Sequence, residues 1–64
     1  MKDADKFVIA VKDSVTQPGH IRPGRILARR RKRIDADKDS VALANRQGIP
    51  TWHVSVFHHG KLLG

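Results

Sequence analysis

Apolar residues in this chain gather in short bursts separated by polar and turn-forming stretches. The first burst is Phe7-Val-Ile-Ala-Val11. Its length and its β-branched content predict a strand, fading toward Val15. Phe7, Ile9 and Val11 share one face of that strand, and Val8, Ala10 and Lys12 share the other. The first face is expected to meet the core. Residues 16–24 carry two Pro-Gly pairs, Pro18-Gly19 and Pro23-Gly24. They read as a loop with two turns, because Pro sets φ at the first central turn position and Gly accepts positive φ at the second. Residues 1–6 are polar and read as a frayed end.

Residues 25–34 fit neither period cleanly. Wound as a helix, they line up Leu27, Arg30, Arg31 and Ile34 on one side. Laid out as a strand, Ile26, Ala28, Arg30, Lys32 and Ile34 alternate with Arg25, Leu27, Arg29, Arg31 and Arg33. Intrinsic propensity and the preceding Pro23-Gly24 tilt the reading to helix. Residues 35–40 read as a polar bend. Asp39 or Ser40 would then cap a short helix over residues 41–47, with Arg46 at its negative end, Gly48 just past it and Pro50 as a stop. A competing reading makes residues 40–44 a strand and 45–50 a hairpin loop.

Residues 51–57 alternate most clearly. Trp52, Val54 and Val56 face one way; His53, Ser55 and Phe57 face the other. Residues 58–61 form a hairpin turn that uses Gly60, and Leu62-Leu63 begins a return strand. These elements predict a single small α+β domain, an antiparallel sheet of residues 7–15 and 51–57 with one or two short helices on it. The expected core is Phe7, Ile9, Val11, Leu27, Leu43, Trp52, Val54 and Val56, with Lys12 and Lys61 guarding sheet edges.

Composition narrows the function classes. A chain of 64 residues makes one small domain with a modest core. It has no cysteine, so no disulfide or thiolate metal site can staple it, which suits a reducing, cytoplasmic setting. No apolar run approaches the roughly 18 residues of a membrane helix, and the short burst at Phe7 is no signal-peptide core. A soluble monomer is expected. Glutamate, cysteine and tyrosine are missing, and Ser14, Ser40 and Ser55 sit in no nucleophile-elbow motif. Catalysis and cofactors are therefore not expected.

Charge decides more. The formal net charge is +7. Residues 20–34 hold seven Lys/Arg and no acid, while charges cancel on either side. Arg22, Arg25, Arg29, Arg30, Arg31, Lys32 and Arg33 are the candidate binding residues. Arginine predominates, and its planar fork matches phosphate oxygens in pairs. This clustering points to a polyanion rather than to a merely soluble surface. Asp35, Asp37 and Asp39 have the spacing of a calcium loop's start, but Ser40 and Arg46 stand where that loop needs Gly and Glu. They are expected to cap a helix or pair with the neighbouring arginines. His53, His58 and His59 alternate across a strand and do not converge as zinc ligands.

Two resemblances follow from these residues. Trp52-His-Val-Ser-Val-Phe-His-His-Gly-Lys-Leu-Leu-Gly64 resembles the hairpin of AP2-like and phage integrase arm-type DNA-binding domains over the last thirteen residues. That resemblance implies a sheet laid in a DNA groove, although those domains continue into a helix that is missing here. In length, basic run and lack of catalytic groups, the whole chain resembles small phage-encoded regulators of host RNA polymerase, of the Xanthomonas phage type. This implies a transcription regulator acting in the host cytoplasm, docked on the polymerase with its arginine face toward DNA or RNA. A free-standing DNA- or RNA-binding module and a ribosome-associated structural protein are the alternatives.

Overall fold

The computed structural model describes residues 6–13 and 21–63. Expectations for residues 1–5, for Ser14 and Val15 and for the first Pro-Gly turn lie outside them. Among the described residues, four strands form one antiparallel sheet: β1 (Phe7–Lys12), β2 (Pro23–Arg30), β3 (Val54–His58) and β4 (Lys61–Leu63), in the order β2-β1-β3-β4. One helix, α1 (Arg33–Gln47), leaves the end of β2 and packs against one face of the sheet. The fold is α+β.

The alternation of β1 is realised as expected. Ile9 lies opposite Val56 and Val11 opposite Val54. With Ala36 and Ala44 of α1 these make the main core, edged by Phe7, Leu27, Ala28, Leu43, Ile49 and Leu63. The two alanines are fully buried, and their small side chains let the helix lie close to the sheet. Ala36, Leu43 and Ala44 share one helical stripe. The opposite sheet face holds Val8, Ala10, Phe57 and Leu62, which are register partners or neighbours of one another. Ala10 and Phe57 are fully buried there. Phe57, assigned by its alternation to the side away from the core, is thus fully buried on that second face.

The basic run is a strand rather than a helix through Arg30, and the reason is visible in the register. Ile9 pairs with Ala28, but the next residue, Ala10, pairs with Ile26. Leu27 is therefore an inserted residue, a β-bulge, and both Leu27 and Ala28 reach the core. Two adjacent apolar residues on one face spoil the period of two, which is why neither period fits. A second irregularity follows, since Ala10 pairs with Ile26 while Lys12 pairs with Pro23. Pro23-Gly24 thus opens a strand instead of closing a turn. A methyl group added to Gly24 would sit 2.9 Å from the Val11 carbonyl oxygen. Gly24→Ala should lower stability by about 1–3 kcal/mol through this backbone collision. An unchanged urea midpoint would show that the irregularity relaxes freely.

The helix begins eight residues before the expected start at Val41, at Arg33. Residues 35–40 are its first turns, not a bend. Its N-cap is Lys32, which makes no side-chain capping bond; Asp39 and Ser40 lie inside the helix, and the Ser40 hydroxyl donates to the Asp37 carbonyl at 2.8 Å. The helix ends as expected. Gly48 adopts φ 73°, and its N–H caps the Ala44 and Asn45 carbonyls. Pro50 then allows a single 3₁₀ turn, Thr51–His53, closed by the His53 N–H donating to the Pro50 carbonyl at 2.9 Å. Because of that turn β3 starts at Val54, and Trp52 leaves the alternation and the core, 69% exposed. His59 and Gly60 both take positive φ, 54° and 77°, as a tight hairpin requires. Lys61 lies on edge strand β4, whereas Lys12 lies on the interior strand β1 and guards no edge.

Candidate nucleic-acid interface

The seven candidate cations fall into three settings. Arg29, Arg31, Lys32 and Arg33 are exposed where β2 passes into α1. Arg30, between them, turns to the helix side, since it pairs with Phe7 while Arg29 pairs with Val8. Its Nε donates to Asp39 Oδ2 at 2.7 Å, and its Nη1 donates to the Arg29 carbonyl at 2.7 Å. Arg30 therefore ties β2 to the helix and is the least available of the run. Arg22 and Arg25 are exposed at the far end of β2. At about 3.3 Å per residue, Arg25 lies about 13 Å from Arg29 and Arg22 up to about 26 Å from Arg30. The run is a line along an edge strand that thickens into a cluster at the helix start.

The cluster is placed against local helix stability. A helix N-terminus carries partial positive charge, and cations there cost rather than contribute. Lys32 is the N-cap and Arg33 the first helical residue, while Asp35 is the acid of the first turn. Arg33 finds partial relief from Asp37, with Nε 3.7 Å from Oδ2 and both side chains more than half exposed. Such an exposed pair contributes at most about 1 kcal/mol. The first-turn N–H groups, without a side-chain cap, add their dipoles to the same positive field. The expected pairing of the aspartates with arginines is thus realised for Asp37 and Asp39.

Sheet register brings in residues that the linear reading kept apart. Arg30, Phe7, His58 and Lys61 stand abreast across all four strands at this end. The Phe7 and His58 rings stack at 4.3 Å with 15° between planes, and His59 tilts against His58 at 4.0 Å. Lys61 and His59 are exposed there. No feature of the linear sequence announces this grouping, because it depends on strand order.

The chain matches no known family, curated protein or solved structure.

Among the described residues, no group of three His, Cys, Asp or Glu side chains is arranged to hold a metal ion. No helix there is long and apolar enough to cross a membrane. The chemistry this surface offers is dense charge-assisted hydrogen bonding from guanidinium groups and backbone N–H groups, with aromatic rings close by. Phosphate is the anion such donors suit best.

Proposed function

We propose that this chain is a non-catalytic binding protein whose cationic end, at the junction of β2 and α1, holds the phosphate backbone of a nucleic acid. One observation carries this reading: Arg29, Arg31, Lys32 and Arg33 are exposed together at a helix N-terminus, where their charges oppose helix stability. A solubilising surface has no use for that placement, whereas an anion site does. The arrangement suits backbone contact, which fixes position without reading sequence.

A second reading sets the same contact within a larger machine. Ile34 and Val41 are exposed at 66% and 50% and lie seven residues apart on one side of the helix. Apolar contacts of this kind would hold the protein on a partner while the arginines face nucleic acid. They support docking on a partner protein, and the partner this second reading proposes is RNA polymerase, with the chain acting as a transcription regulator.

Salt separates the two. If the four exposed cations of the cluster each neutralise a phosphate, log affinity for a duplex should fall with log salt at a slope of about −3 to −4. Fluorescence anisotropy with labelled oligonucleotides measures it. Absence of binding at low salt would sink the nucleic-acid reading. A parallel capture experiment from bacterial lysate, with and without nuclease, addresses docking. Polymerase subunits retained after nuclease would support the regulator, and their loss would leave the free-standing binder.

A further inference from the structure

Trp52 is the chain's only tryptophan, and it is held outside the core at 69% exposure. A small domain has little apolar surface to spare, so an exposed indole in a structured turn calls for a use. It does not hang loosely. The His53 ring stacks beneath it, with centroids 4.3 Å apart and 23° between planes. One indole face is thereby backed, and the exposure lies on the rest of the ring.

Cations surround this end of the sheet as well. Val11 pairs with Val54, so Lys12 and Asp13 reach the level at which the 3₁₀ turn enters β3. Lys12 in turn pairs with Pro23, and the Asp13 N–H donates to the Arg22 carbonyl at 3.0 Å. Arg22 and Arg25 are exposed beside it. The setting is a backed aromatic platform at the entry to β3, one strand inward from β1 and two from the far end of the cationic edge strand β2.

We propose that Trp52 stacks an unpaired nucleobase while Arg22 and Arg25 hold neighbouring phosphates, so that the ligand of the cationic edge is single-stranded nucleic acid. This rests on the nucleic-acid reading of the arginine cluster and adds the substrate class to it. Stacking platforms combined with a charged track are the usual means of holding single strands, since every base offers a ring face once it leaves a duplex. A protein partner is the less favoured occupant. Tryptophans that anchor protein interfaces sit at the centre of a packed patch, whereas Pro50 and Thr51 beside Trp52 are exposed and the other exposed large apolar side chains, Ile26, Ile34 and Val41, stand on other elements, β2 and α1.

The test uses the full chain and its own fluorophore. Tryptophan emission is followed during titration with a homopyrimidine single strand and with a hairpin duplex, alongside anisotropy of the labelled oligonucleotides. The single strand should quench Trp52 with the same midpoint that anisotropy gives. Trp52→Ala should weaken single-strand binding about ten- to hundredfold and leave duplex binding unchanged, and Trp52→Phe should recover most of that affinity. Circular dichroism checks that both variants fold. If oligonucleotides bind but emission stays constant and Trp52→Ala binds normally, the stacking inference is overturned while the backbone-binding reading stands. If neither oligonucleotide binds, the broader reading and the stacking inference are both overturned. Emission that shifts to the blue with purified RNA polymerase, with no response to oligonucleotides, would overturn the inference in favour of a protein anchor.

Discussion

Phe57→Ala should leave the domain largely unfolded at room temperature. Phe57 is fully buried, on the sheet face away from α1, with Val8 opposite it on β1 and Leu62 on β4. Truncating a buried Phe to Ala costs about 3–5 kcal/mol through the forfeited transfer energy and the cavity left behind. A domain of this length has only a few kcal/mol of total stability. No disulfide limits the unfolded chain. The destabilisation therefore matches the whole margin. Far-UV circular dichroism and a urea titration would show it, and Phe57→Leu should keep a cooperative transition at a lower midpoint. A Phe57→Ala variant that melts like the parent would mean that Phe57 is not buried in solution.

The triple reversal of Arg29, Arg31 and Lys32 to glutamate should separate binding from stability. All three are exposed at the β2–α1 junction. Affinity for nucleic acid should fall by at least about a hundredfold, and the salt slope should drop by about 3, one for each phosphate that is no longer neutralised. The melting temperature should stay level or rise slightly, because acids now stand at the positive end of the helix. Arg30→Glu makes the contrast. It would place a second carboxylate against Asp39, whose oxygen now lies 2.7 Å from the Arg30 Nε, and should destabilise the fold. If the triple variant binds as tightly as the parent, the cationic cluster is not the binding surface. If it unfolds, those side chains hold the structure together, contrary to their exposure.

These two variants also show where linear patterns carry meaning and where they stop. The alternation of Phe7, Ile9 and Val11, and of Val54 and Val56, was legible because a period of two survives wherever a strand is regular. The hairpin at His59-Gly60 and the helix end at Gly48 were legible because positive φ is a local demand with a local signature. The helix start was not, because Lys32 caps nothing and residues 35–40 hold only Ala36 against the core. Phe57 and Trp52 exchanged their expected roles for a related reason. One 3₁₀ turn after Pro50 removes Trp52 from the strand, and Phe57 is buried on the sheet face away from the helix.

By itself, then, the sequence determined a small α+β domain, the location of its charge, and the two turns where backbone geometry is dictated residue by residue. Only the tertiary structure decided that the basic run is a bulged edge strand, that Arg30 is tied to Asp39, and that His58, His59 and Lys61 join the cationic end. It alone left Trp52 outside. The physical reason is the range of the interaction. Caps, turns and net charge are fixed by neighbours in the chain. Register, bulges and burial depend on partners far along it, such as Ile9 with Ala28 and Phe7 with His58, whose pairing is decided by the packing of the whole domain.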